Sequence, residues 1–169
     1  MVERQDETGM TLLELVVALP LVAMLLAGLS TMFFLLLHSC WADISDLELQ
    51  QQLRLAAVAV TQDMMYADRA KIEEDGISLW TRSQSSLPRQ IVYRVRDPGG
   101  KAILTKNNQP LTGGSIYGDI RIVKFQCRKF NEKTIVLELG GRNAFTGKIL
   151  VIETAAVLEN KRSGGGADE

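Results

Sequence analysis

Gly9-Met10-Thr11-Leu12-Leu13-Glu14-Leu15 opens an almost unbroken apolar run that continues to Leu37 with Pro20 inside it. From Leu15 to Leu37 there are 23 residues without a charge, interrupted only by Pro20, Gly28, Ser30 and Thr31. At about 1.5 Å per residue, a helix of that length spans roughly 34 Å, enough to cross a bilayer. Glu14 stands out, because an ionised group in lipid costs about 2.5 to 3.5 kcal/mol near the centre and less towards the interface. Such a cost predicts a partner. Residues four apart share a helix face, which puts Glu14 on the face of Met10, either its own or that of a neighbouring copy. The plainer alternative is a carboxylate left at the headgroup boundary by an ordinary signal anchor. Pro20 removes one backbone hydrogen bond and predicts a kink in the membrane half of the helix.

Three other readings of the stretch compete. A secretory signal peptide has a basic start and an apolar core of about 7 to 15 residues, and this core is longer. A lipoprotein signal is partly matched by Leu37-His38-Ser39-Cys40, with histidine where a small residue is usual. A plain single-span membrane protein is the third.

A short polar leader ending in glycine, followed by Met10-Thr11-Leu12-Leu13-Glu14 and a long apolar helix, closely resembles the type IV prepilin and pseudopilin signal, usually written G-F-T-L-x-E. The resemblance implies that a membrane prepilin peptidase cuts between Gly9 and Met10 and methylates the new amino terminus on Met10. It also implies that Thr11, Leu12, Leu13 and Glu14 serve recognition and assembly, with Glu14 setting the axial register of subunits in a filament. Two features depart from the pattern. Met10 replaces the commoner phenylalanine, and residues 1–9 carry a net charge of minus two, with Arg4 against Glu3, Asp6 and Glu7, where such leaders are usually basic. A cytoplasmic amino terminus is therefore supported only by Arg4 and the terminal amine. The far flank does not contradict it, since Asp43, Asp46 and Glu48 precede the first cation, Arg54.

The remainder of the 169 residues leaves room for one modest domain, and a net charge of minus one suggests neither nucleic acid nor a strongly charged ligand. Cys40 and Cys127 have no Cys-x-x-Cys spacing and are expected as two unpaired thiols. The only histidine, His38, is expected as an interfacial residue beside Trp41.

Beyond the membrane the helix is expected to continue. No glycine or proline occurs from Ala42 to about Ile72, and Leu49, Leu53, Ala56, Val60, Met64 and Ala67 recur at spacings of three or four, one stripe of an amphipathic helix. From Gly76 the texture changes. Strand-like runs are expected at Ile77 to Thr81, Gln90 to Arg96, Lys101 to Thr105, Ile120 to Phe130, Thr134 to Leu139 and Lys148 to Val157. Their turns are expected at Asp97-Pro98-Gly99-Gly100, Asn107-Asn108, Gly113-Gly114 and Gly140-Gly141. The expected fold is α+β: a long amino-terminal helix packed on an antiparallel sheet of about five or six strands. Its parts are a leader at 1–9, a membrane or filament-core half-helix at 10–39, an amphipathic half-helix at 40–72, a sheet domain at 73–160 and a disordered tail at 161–169.

This order is again similar to a pilin. Asp63-Met64-Met65-Tyr66-Ala67, Ile91-Val92-Tyr93-Arg94 and Ile103-Leu104-Thr105-Lys106 resemble the minor group of W-type pilins, J-type secretion pseudopilins and F-type competence pseudopilins. The resemblance implies a bacterial inner-membrane precursor with the carboxy-terminal domain exported into a pilus or pseudopilus. Its implied partners are the prepilin peptidase, other pilin or pseudopilin subunits, the inner-membrane assembly platform and the lipid bilayer, with no direct nucleic-acid contact. The alternative is a single-span anchored binding domain that is neither processed nor assembled. An enzyme is not expected, since no nucleophile elbow, phosphate loop or metal-ligand cluster occurs in the sequence. No metal or cofactor is expected either, and Glu73-Glu74-Asp75 is read as a solvated helix end rather than a calcium site.

Overall fold

The computed structural model describes residues 11–81, 89–114 and 119–158. The elements are helix α1 (Leu12–Met65) and strands β1 (Arg69–Glu73), β2 (Gly76–Thr81), β3 (Arg89–Arg96), β4 (Ile103–Lys106), β5 (Gln109–Pro110), β6 (Ile120–Lys129), β7 (Thr134–Asn143) and β8 (Ile149–Val157). The chain divides within α1 into two compact units, Met1–Trp41 and Ala42–Glu169.

In the first unit, α1 is long and apolar enough to cross a membrane. Nothing from Thr11 to Trp41 is buried among the described residues, so the apolar side chains of this segment stand exposed. Pro20 lies inside the helix and supplies no N–H to the carbonyl four residues earlier. Ser30 Oγ donates to the Leu26 carbonyl at 2.8 Å and Thr31 Oγ1 to the Ala27 carbonyl at 2.9 Å, so both hydroxyls are satisfied within the helix.

In the second unit, Ser45, Leu49, Leu53, Ala56, Ala57, Val60 and Met64 form the buried face of α1. The sequence stripe is therefore the core stripe, and Ala67 is fully buried as well. Sheet one is a five-stranded antiparallel meander, β1-β2-β3-β4-β5, and sheet two is the three-stranded meander β6-β7-β8. Both pack their inner faces into the same core. Ile77, Leu79, Ile91, Tyr93 and Leu104 come from the first, and Ile120, Ile122, Cys127, Ile135, Leu137, Leu139 and Ala156 from the second.

Three expectations are corrected. The helix ends at Met65 rather than near Ile72, because the chain is captured by the first sheet. Ala67 N–H takes the tighter bond to the Met64 carbonyl at 3.1 Å, Asp68 N–H donates to the Trp80 carbonyl at 2.9 Å, and Arg69–Glu73 then pairs along β2. Glu74 and Asp75 are accordingly the two-residue turn of the β1–β2 hairpin, and Glu73 is held by Arg94 Nη2 at 2.8 Å. The strands form two sheets rather than one. β5 is only two residues long and ends in Pro110, which has no N–H to extend the ladder, and β6 starts beside β4, with Ile122 N–H donating to the Ala102 carbonyl at 2.7 Å.

The third correction concerns Gly140-Gly141, which is the middle of β7 and not a turn. A Cβ at Gly141 would stand 3.0 Å from both Leu49 Cδ1 and Leu53 Cδ2, so the absent side chain is what lets the helix settle onto the sheet. Gly140 lies opposite the bulge between Ile122 and Lys124, and a Cβ there would crowd Lys124 and Val151. By contrast, Asn107-Asn108 is a turn as expected, with φ of 50° and 73° at its two residues.

Gly141→Val is expected to destabilise the sheet-bearing unit by about 1–3 kcal/mol through overpacking against Leu49 and Leu53, and Leu53→Ala by about 2–5 kcal/mol through the cavity it leaves. The double variant should lose less than the sum, since each change relieves the other. Denaturant unfolding of the four proteins checks this.

Candidate functional site

Gly9 and Met10, the predicted cleavage and methylation positions, lie outside the described residues. The described part of the signal begins at Thr11, which is the cap of α1. Thr11 Oγ1 accepts from the Glu14 N–H at 3.3 Å, and Glu14 Oε2 accepts from both the Thr11 N–H at 3.1 Å and the Thr11 hydroxyl at 3.2 Å. This is a reciprocal capping box, in which a threonine and a glutamate three residues later satisfy two donors that a helix start otherwise leaves open. A carboxylate in the first turn also meets the positive end of the helix dipole. The geometry gives Glu14 a role within its own chain: its carboxylate reaches back to the Met10–Thr11 peptide group, one peptide bond from the Gly9–Met10 bond. Leu12 and Leu13, at 80% and 75% exposure, are free of any cover.

The second unit carries no comparable opening but has three polar pins that hold α1 over the sheets. At the start of the packed segment, Asn143 is fully buried, and its Nδ2 donates to Ser45 Oγ at 2.6 Å and Asp46 Oδ1 at 2.9 Å. Thr146 Oγ1 donates to the same Asp46 oxygen at 2.6 Å, and Lys148 Nζ stands 3.1 Å from the other. Burial would raise the Asp46 pKa, but the hydrogen bonds from Thr146, Lys148 and Asn143, with the charge of Lys148, outweigh it and hold the carboxyl below its usual range. In the middle, Gln52 Oε1 accepts from the Gly113 N–H at 3.0 Å. Near the helix end, Asp63 accepts from the Tyr93 hydroxyl and pairs with Lys106 at 2.6 Å, while the Lys106 ammonium lies 5.7 Å from the centre of the Tyr93 ring. Burial first and Asp63 second push the Tyr93 phenol upward, so it stays protonated and keeps donating.

These pins were not legible in the sequence. Asp46 and Asn143 are brought together across 97 positions by the fold alone, and Asp63 meets Tyr93 across 30 positions in the same way. The capping box did have a signal, the T-x-x-E spacing itself. Cys127 is buried as a free thiol, pushed up to about 12 by that burial, and Cys40 is free and exposed. Among the described residues no group of three or more histidines, cysteines or carboxylates could hold a metal ion.

Comparison of the chain with protein families, with curated proteins and with solved structures found no match.

The Asp46 pin has a pH signature. A carboxyl held below its unfolded value releases its proton more readily when folded, so the pin's contribution is present above the ordinary aspartate range and is lost as the pH falls through the folded value. Asp46→Asn is therefore expected to be less stable than the parent at pH 7, and the gap should narrow on acidification below about pH 4. Thermal unfolding of both proteins between pH 7 and pH 3 checks the direction.

Proposed function

We propose that this chain is a minor pilin or pseudopilin: a structural subunit made as a membrane precursor, cut after Gly9, methylated on Met10 and assembled into a type IV pilus, a competence pseudopilus or a type II secretion pseudopilus. The observation that carries this reading is one helix with two kinds of surface. From Leu15 to Leu37 it carries no charge and no residue is buried among the described residues, and from Ser45 to Met64 it buries a stripe under two antiparallel sheets. An apolar segment left bare needs lipid or other helices around it. A filament core of identical or related helices supplies the second after the bilayer has supplied the first.

In this reading the amino terminus lies on the cytoplasmic side of a bacterial inner membrane and residues from Ala42 onward are exported. The prepilin peptidase acts on the precursor, the assembly platform extracts it, and neighbouring subunits replace lipid around Leu15–Leu37. Glu14 then has two successive partners. Within the precursor it caps α1 through Thr11, and in the filament it meets the new amino group of a neighbour, a pairing that a low-dielectric surrounding strengthens.

Glu14→Gln separates the two roles, because glutamine still accepts the Thr11 N–H in a capping box but carries no charge. Incorporation into filaments is expected to fall as far in Glu14→Gln as in Glu14→Ala. Normal incorporation of the glutamine variant alone would reduce Glu14 to a cap and contradict the charge-pairing role. If both variants and the parent behave alike and none enters a filament, the chain is a single-span anchored binding domain instead.

A further inference from the structure

Each sheet has two edges, and an edge presents unpaired backbone groups that natural proteins guard with shortness, charge, proline or a bulge. Three of the four edges in the described residues are guarded. β1 has five residues with Arg69, Lys71 and Glu73 among them, and β5 has two residues and a proline. β6 carries four cations, a bulge between Ile122 and Lys124, and an N–H at Ile122 already given to Ala102. β8 has neither shortness, proline nor a bulge. Its nine residues contain a single charge, Glu153, no lysine and no proline, and it pairs with β7 without a break in register.

The ends of the β7–β8 hairpin show which backbone groups are open. Asn143 N–H donates to the Lys148 carbonyl at 2.9 Å, and Leu158 N–H donates to the Lys133 carbonyl at 2.7 Å. Bonded residues alternate along an antiparallel ladder, so the even-numbered residues from Lys148 to Leu158 face β7. Ile149, Val151, Glu153, Ala155 and Val157 turn their N–H and C=O groups away from the sheet. On the inner side of this edge runs a mainly apolar groove of about 460 Å³, lined by Arg54, Ala57, Val58 and Met65 of α1 and by Ile152 and Thr154 of β8. An open ladder with an apolar trough at alternate positions beside it makes up the two halves of a strand-addition site, the first giving affinity and the second specificity.

We propose that the β8 edge receives an extended segment of a different polypeptide, whose apolar side chains at every second position enter the groove and whose acidic residue meets Arg54. Arg54 is exposed and makes no ion pair among the described residues. A second copy is the poorer occupant. The one acid on its own β8, Glu153, alternates onto the outer face, away from the helix side, and is already met by Arg128 at 3.1 Å. Residues 159–169 of this chain are poorer still, since Ala167 is their only apolar side chain. The site rests on the unit Ala42–Glu169 alone and stands whether or not the chain is processed or assembled.

The test uses the full chain, labelled with nitrogen-15 in detergent micelles. The probe is an acetylated and amidated peptide that alternates valine and threonine and carries one aspartate at an end. Saturable binding is expected to slow amide exchange at Ile149, Val151, Glu153, Ala155 and Val157 by at least about tenfold and to leave the β1 amides unchanged. Val151→Pro removes an outward N–H without touching the bonds to β7, and Val58→Lys plugs the groove from an exposed helix position. Each should weaken binding at least about tenfold; if the proline variant fails to fold, the lysine variant decides. The proposal is overturned by a parent that binds no peptide, by variants that bind as tightly as the parent, or by protection of these amides that rises with protein concentration in the absence of peptide, which would mark a second copy as the occupant.

Discussion

How closely a helix can approach a sheet sets the rest of the sheet-bearing unit, and here the approach is fixed by Leu49 and Leu53 seated over Gly141. Any side chain at that glycine would push the two leucines away, and one helix could then no longer fill the space in front of both sheets. The consequences spread from that contact. A single stripe of α1 from Ser45 to Met64 closes a core shared by the five-stranded and three-stranded sheets. The polar pins at Asp46, Gln52 and Asp63 are then satisfied at the start, middle and end of the stripe. Partly buried hydrogen-bond networks of this kind add modestly to stability, and a half-satisfied one costs more than it gives. They fix which face of the helix lies inward.

That fixation matters because the same helix is asked to live in two environments. From Leu15 to Leu37 it carries no charge and stays exposed, and after Ala42 only one stripe is buried while residues such as Leu47, Leu55 and Val58 remain outside. The exposed apolar segment is long enough to cross a membrane, while the packed segment closes a core of its own with the two sheets. Glu14 is the one charge in the first turn of α1, and its carboxylate is satisfied there by the Thr11 N–H.

Much of this was readable from the residues, and the failures have physical causes. The spacing of Leu49, Leu53, Ala56, Val60, Met64 and Ala67 identified the core stripe because burial follows the helical period. The strand-like runs read from the residues fall on β2, β3, β4, β6, β7 and β8, those of β3 and β7 with the alternation of apolar and polar residues that marks a half-buried strand. The last turns of α1 were misplaced because Asp68 to Ile72 carries no helix breaker, and the stop is imposed from outside by β2. Gly140-Gly141 misled for a related reason: paired glycines usually mark turns, but here they serve close packing in a strand interior. The second sheet, the Asp46–Asn143 pin and the open β8 edge are products of topology, which pairs residues far apart in sequence and leaves no local trace. The capping box was legible in Thr11 and Glu14 all along.

The mass of the amino-terminal peptide, isolated from cells with and without a prepilin peptidase, tests the central reading most directly. A chain beginning at Met10 with one added methyl group, seen only when the peptidase is present, is the predicted result. An unchanged start at Met1 or Val2 in both strains, or a lipid on Cys40, would contradict it.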